Sequence, residues 1–281
     1  MTAAGESDLE ILVDLFPWKP SLALFRALER RGVRRRHALL ASPILDLGCG
    51  DGEINRLFLA EFDSIGIDWD STSLPKAKQF LRGVARADAR RLPFRSRTFG
   101  AVFGNCAIEH FPDIDLCLAE ASRVLRPGGI LIASVPSAHW KELYVWNRFF
   151  SALGWPRLGR KIVDAHDRTV AHLNLFGPEE WTVKFRRAGL EPVAFDPYLT
   201  ARGARFTTLL ESILARPFPC PGFWTHSGTF YFLSGLLRRL GGERFWKRVF
   251  VRMIRPFYDE AVGPEGVAAG TLLVARKERD G

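Results

Sequence analysis

The chain has 281 residues, 47% of them hydrophobic, enough for one large domain with a substantial core and room for an inserted cap. No apolar stretch approaches the roughly 20 residues of a bilayer span. The acidic start, with Glu6, Asp8 and Glu10 ahead of any apolar run, is the opposite of a secretory signal. Cys49, Cys106, Cys117 and Cys220 lack paired spacing, so reduced thiols in a cytoplasmic protein are expected. The net charge of +9 favours anionic partners without choosing among nucleic acid, acidic lipid and small anions.

Residues 20–31 carry Leu22, Leu24, Phe25 and Leu28 at helical spacing and are followed by Gly32, which predicts an amphipathic helix inside an N-terminal segment, 1–43. The stretch Ile44-Leu45-Asp46-Leu47-Gly48-Cys49-Gly50-Asp51-Gly52 then reads as a buried parallel strand running into a tight glycine loop. Its glycines allow close backbone approach to a ligand, and the helical spacing of Glu53 to Phe62 puts a helix N-terminus behind it. The spacing is G-x-G-x-G, not the G-x-G-x-x-G of a dinucleotide fold. Ser64 to Asp68 follows as a strand ending in an acid, suited to accept two ribose hydroxyls. Next come Ala87-Asp88-Ala89, Leu92-Pro93-Phe94, the strand Phe99 to Asn105 with Glu109-His110-Phe111 close behind, and Val124-Leu125-Arg126-Pro127-Gly128-Gly129 leading into Ile130 to Val135. Strands alternating with helices over 44–136 predict a sheet wound on both faces.

The order of these elements resembles the class I S-adenosylmethionine (SAM)-dependent methyltransferases of the type 11-like kind, densely over about 40–136 and more faintly to about 199. The resemblance implies an α/β fold: a doubly wound, mostly parallel, seven-stranded Rossmann-like sheet with an antiparallel last strand and an inserted helical cap. It divides the chain into a cofactor-binding core, 44–199, with a cap insertion at about 137–177, a helical insertion at 200–265, and a last strand and tail at 266–281. It implies SAM as cofactor. Asp46, Gly48, Cys49, Gly50 and Gly52 would then hold its methionine and ribose portion, and Asp68 the ribose hydroxyls. Trp69 would lie along the adenine, Asp88 with Ala89 would meet its amino group, and the main chain of Asn105 or Cys106 would face the methionine end.

A hydroxyl nucleophile needs a general base, for which histidine is suited near neutral pH. His110 lies where family members often carry a Glu-His pair, His139 follows the fifth strand, and His172 lies in the cap; all three stay candidates. His166, Asp167 and His172 fit no regular metal site, and no metal is expected. Pro178 opens a further helix that Gly189 closes, Leu190 to Phe195 reads as the sixth strand, and Gly270 to Ala275 as the last.

The stretch between those strands is far longer than a hairpin needs and interleaves aromatic with basic residues: Phe230, Tyr231 and Phe232 with Arg238-Arg239, and Phe245, Trp246 and Phe250 with Lys247-Arg248. Pro217 to Gly222 reads as a joint between two helical halves. Such a segment suits a lid over an apolar acceptor and contact with a bilayer surface, so the expected location is cytoplasmic and peripheral to the membrane. The expected activity is transfer of a methyl group from SAM to an oxygen or nitrogen of a small-molecule or lipid-linked acceptor. The alternatives are a non-catalytic SAM-fold binding module and a nucleotide-cofactor oxidoreductase. Nucleic acid is not the expected acceptor, because Asn105-Cys106-Ala107-Ile108 stands where amino-methylating DNA enzymes carry an Asn/Asp-Pro-Pro element.

Overall fold

A computed structural model describes residues 7–214, 228–263 and 266–279, apart from the side chains of 169, 213–214 and 228–240. In chain order the elements are α1 (Asp8–Leu15), α2 (Pro20–Arg35), β1 (Ile44–Leu47), α3 (Arg56–Leu59), β2 (Ser64–Asp68), α4 (Leu74–Ala77), β3 (Gly83–Arg86), β4 (Phe99–Asn105), α5 (Ile114–Val124), β5 (Leu125–Pro136), α6 (Trp140–Leu143), α7 (Val145–Ala152), α8 (Pro156–Val170), α9 (Pro178–Arg187), β6 (Leu190–Thr200), α10 (Ala201–Leu214), α11 (Gly228–Asp259) and β7 (Ala268–Lys277). They fall into two compact units. One comprises 32–138, 170–196 and 270–281 and carries the sheet; the other comprises 1–31, 139–169 and 197–269 and is helical.

The seven strands are ordered β3-β2-β1-β4-β5-β7-β6. The pairs β1–β2, β1–β4, β2–β3 and β4–β5 are parallel, with Leu45 opposite both Ile65 and Val102. Strand β7 runs antiparallel to β5, Ile132 facing Val274, so the expected antiparallel last strand is present, lying between β5 and β6. Strands buried on both faces read as unbroken apolar runs because each alternate side chain meets a different helix layer. Leu45, Val102 and Leu131 pack on one face with Leu118, Trp181 and Phe185. Their neighbours Ile44, Phe103 and Ile132 pack on the other with Phe58, Leu272 and Val274.

Two local expectations differ from what forms. Helix α2 does not stop at Gly32 but runs on to Arg35, and the arginines of its last turn lie where the helix dipole is negative. The helix expected over Glu53 to Phe62 is cut to one turn, Arg56–Leu59. Upstream of it, Asp51 Oδ1 accepts from Glu53 N at 3.1 Å, a side-chain turn that competes with the helical ladder.

In the helical unit, α1 opens with a reciprocal cap between Ser7 and Glu10 and buries Leu9, Leu12 and Val13. Helix α11 kinks at Gly242, where φ is 69°. Beyond the kink it buries Phe250, Val251 and Ile254 while Arg244, Arg248, Arg252 and Arg255 stay exposed. That spacing of four, four and three residues puts the four arginines on one helical stripe. The expected joint at 217–222, together with Phe218, Phe223 and Trp224, lies outside the described residues, as do the side chains of Phe230, Tyr231, Phe232 and Arg238-Arg239. Among the described residues no helix is long and apolar enough to cross a membrane.

Candidate functional site

The loop after β1 is shaped by three left-handed glycines, Gly48, Gly50 and Gly52, at φ 69°, 51° and 73°. At Gly48 a Cβ would stand 2.6 Å from that of Ala107, so the position accepts only glycine. Gly48 N and Cys49 N both donate to Ile67 O, at 2.9 and 3.0 Å, which docks the loop on the end of β2. Gly50 N then donates to Asp68 Oδ2 at 2.8 Å, and Asp70 N to Asp68 Oδ1 at 2.8 Å. The acid at the tip of β2 thus holds the turns on either side of it.

A cleft of about 570 Å³ opens beside this loop, lined by Gly48, Asp68, Trp69, Asp88, Ala89 and Cys106, with His110 and Phe111 among the residues at its other walls. That volume lies within the roughly 300–1,000 Å³ of small-ligand sites. Seven of the residues expected at the site therefore share one cleft: Gly48, Asp68, Trp69, Asp88, Ala89, Cys106 and His110. Trp69 is 65% exposed, its ring covered on one side by Arg86 at 5.4 Å, which leaves a flat apolar surface for a heterocycle. Cys106 takes φ 46°, and its N–H is spent on Ser134 O at 3.0 Å. The glycine at the wall, the carboxylate at the tip of β2 and the tryptophan face together fit the size and chemistry of SAM.

Asp46, Cys49, Gly50, Gly52 and Asn105 are not among the lining residues; they build the wall from behind. Asp46 is fully buried, and Asn55 Nδ2 donates to both its oxygens at 2.9 and 2.8 Å. Burial pushes its carboxyl up to about 7; the Asn55 bonds oppose that rise and the charge of Asp68 adds to it. Cys49 packs its sulfur where a Cβ on Gly66 would stand 2.6 Å away, and burial pushes its thiol well up. Asn105 Oδ1 accepts from Ser134 Oγ at 3.0 Å.

Arg90 was not anticipated from the sequence. Its Nη2 and Nε donate to Asp88 at 2.8 and 3.1 Å, and its Nη1 to Asp113 at 3.0 Å. The guanidinium holds the Asp88 carboxyl below the usual range. Arg90 N also donates to Asp88 Oδ1 at 2.9 Å, so Arg90 occupies both oxygens and the exocyclic amine expected here has to compete with it. Glu109 was also missed as a site residue. It is 1% exposed, and its Oε1 lies 3.7 Å from His110 Nε2.

His110 and His172 stack with ring centroids 5.3 Å apart. His139 sits in the helical unit, its Nδ1 3.2 Å from Glu142 Oε2. His166 and Asp167 belong to that unit too, His166 tilted against Tyr144 and Asp167 paired with Lys141 at 2.8 Å.

The methyltransferase-domain family model matches residues 45–133. The chain is 30% identical over 173 residues to the ubiquinone/menaquinone biosynthesis C-methyltransferase UbiE of Desulfotalea psychrophila, covering 57% of this chain and 70% of that protein. It is 26% identical to the demethylmenaquinone methyltransferase of Lactiplantibacillus plantarum, covering 67% of this chain and 87% of that one. In fold it is similar to a SAM-dependent methyltransferase, possible histamine N-methyltransferase, of Thermotoga maritima, with TM-score 0.53, 15% identity, and coverage of 96% and 98%.

Proposed function

Because this chain belongs to the class I SAM-dependent methyltransferases, we propose that its cleft methylates a phenol- or quinol-like acceptor, small or lipid-linked. The observation that carries the reading is His110 on the wall of the same cleft as Asp68 and Trp69, beside similarity to proteins named for quinone methylation. SAM, when bound, supplies a methyl group already activated on a sulfonium, so the chain's own task is binding, orientation and exclusion of water.

A phenolic acceptor becomes nucleophilic, at oxygen or at the adjacent ring carbon, only when its hydroxyl gives up a proton. His110 Nδ1 lies 3.1 Å from Ala171 O, and a carbonyl can only accept, so Nδ1 carries the hydrogen and Nε2 the lone pair that can take that proton. His172, stacked on His110, backs it; His139, engaged with Glu142, is the weaker candidate. A phenol also joins the expected oxygen product to relatives named for carbon methylation, and leaves the expected nitrogen product outside this reading.

Calorimetry should find micromolar-range binding of SAM and of S-adenosylhomocysteine. Incubation with labelled SAM and demethylmenaquinol should then yield a methylated product, whose fragmentation distinguishes ring carbon from oxygen. A panel of phenols, quinols and amines with no turnover, despite cofactor binding, would leave the alternative of a non-catalytic SAM-binding module.

A lipid-linked acceptor would call for membrane contact, for which the arginine stripe of α11 is suited. Phe245 is 49% exposed beside Arg244 and Arg248; Lys247, Arg248, Arg252 and Arg255 line a shallow cleft of about 460 Å³ together with Glu10 and Asp259, and of these Lys247 pairs with Asp14 and Arg255 with Glu10, so the membrane argument falls on Arg248 and Arg252. Each such cation is worth about 1 kcal/mol near an anionic leaflet. Reversible attachment to phosphatidylglycerol vesicles is therefore expected at low salt, lost at high salt and in Arg248→Glu/Arg252→Glu. Flotation reads this directly; protein that stays at the bottom at low salt refutes the membrane contact.

A further inference from the structure

We propose that Glu109, His110 and His172 bind one divalent cation of the zinc class at the edge of the cofactor cleft. The sequence alone gave no reason to expect a metal, because Glu109 and His172 are far apart in the chain; the fold brings them together. Their ligand atoms all lie within 4.8 Å of one another. One carboxylate and two imidazoles form a donor set that zinc uses in catalytic sites with an open fourth position. Purely oxygen-seeking cations such as magnesium are served by other donor sets. Donors about 2.0–2.2 Å from a tetrahedral zinc stand roughly 3.5 Å apart. The His110 Nε2 to Glu109 Oε1 distance, 3.7 Å, is already close to that, and closure requires His172, now stacked on His110 at 5.3 Å, to turn its ring so that its lone pair meets the same point.

Three further observations support the assignment. First, Nδ1–H of His110 bonds the Ala171 carbonyl, the kind of second bond that fixes the tautomer and aim of a metal-binding imidazole. Second, the Glu109 carboxylate is almost wholly shielded from water, where a nearby cation interacts with it far more strongly than at the surface. Third, the two segments are strapped together. Leu173 N and Asn174 N donate to Glu109 O at 2.7 and 3.0 Å, and Asn174 Nδ2 donates to Ile108 O and Phe111 O, both at 2.8 Å. Ala171 adopts φ 54°, a left-handed backbone seldom taken by alanine, to bring its carbonyl to His110.

The inference deepens the methyl-transfer reading and rests on it for its purpose. With a cation present, the Nε2 lone pair goes to the metal. An acceptor hydroxyl can then become the fourth ligand and ionise there, its proton passing to water; in the metal-free protein His110 takes that proton itself.

The test is a titration of chelator-treated, full-length protein with Zn²⁺ and with Co²⁺, read by elemental analysis and by the visible absorption of bound Co²⁺. One equivalent is expected, with affinity reduced about 10- to 100-fold in His172→Ala and in Glu109→Gln. Circular dichroism checks that each variant is folded, and SAM calorimetry on the same samples tests the methyl-transfer reading separately. No stoichiometric uptake by the parent protein overturns the proposal, as does equal affinity in a folded His172→Ala. SAM binding without metal uptake would leave a histidine base acting alone.

Discussion

Replacing Asp68 by alanine should weaken SAM binding by roughly 10²–10⁴-fold. The ribose hydroxyls are expected to donate two charge-assisted hydrogen bonds to this carboxylate, each worth about 1.5–3 kcal/mol, or about 3–6 kcal/mol together. The effect has a second source. Each oxygen of Asp68 already accepts a backbone N–H, from Gly50 and from Asp70, so the variant also releases the glycine loop that shapes the cleft wall. Asp68→Asn keeps one carbonyl oxygen and should fall between wild type and Asp68→Ala. Calorimetry with S-adenosylhomocysteine measures all three, and an unchanged dissociation constant in a folded Asp68→Ala would remove Asp68 from the site.

The second large effect is on stability and concerns Asp46, whose carboxyl is held at about 7 in the folded chain against an ordinary value of 3.8. Below the ordinary value the group is protonated in both states, and its contribution to stability is fully present. As pH rises towards 7 the unfolded chain ionises while the folded one keeps its proton, so stability is lost at about 1.4 kcal/mol per pH unit. The loss reaches about 4 kcal/mol near pH 7 and stays constant above it. Asp46→Asn removes this dependence while keeping the size of the side chain and an oxygen for Asn55 to donate to. Urea unfolding of both proteins at pH 5 and pH 8 should therefore show the variant gaining relative stability at the higher pH. Parallel behaviour across that range would mean Asp46 is ionised throughout. Asp51, Asp88 and Glu120, each held below their ordinary range, add an opposite slope only below about pH 5, outside this window. The quantity to read is the difference between the two proteins.

Much of the sheet and the wall of the cleft was legible in the sequence because their signals are local. A parallel strand buried on both faces must be an apolar run, a left-handed turn against Ala107 must be glycine, and an acid at a strand tip is a single letter. The parts that escaped depend on partners distant in the chain or on side chains that choose one another only after folding. Asp46 carries no mark that Asn55 will occupy both its oxygens, and Asp88 none that Arg90 will grip it. Glu109 and His172 come together through bonds that Leu173 and Asn174 make to the turn after β4. The glycine at position 32 misled for the opposite reason. A glycine is a helix stop only when the chain needs the left-handed turn, and here it continues as ordinary helix to Arg35.

The placement of β7 bears on how the chain comes to be folded at all. Residues 268–277 are the last strand to be synthesised, yet they fill the gap between β5 and β6. Until they leave the ribosome, β5 shows an unsatisfied edge and β6 has no hydrogen-bonded neighbour. The helical unit is likewise gathered from three stretches, the last of which reaches residue 269. Neither unit can therefore be completed early in translation, and the loops that must close are long, which slows folding. A nascent chain in this condition carries an open sheet edge and uncovered apolar helices together, the combination most prone to pair with another molecule. Loss of the final strand would strand the chain in that state, so the few residues furthest from the cleft in sequence decide whether there is a cleft to fill.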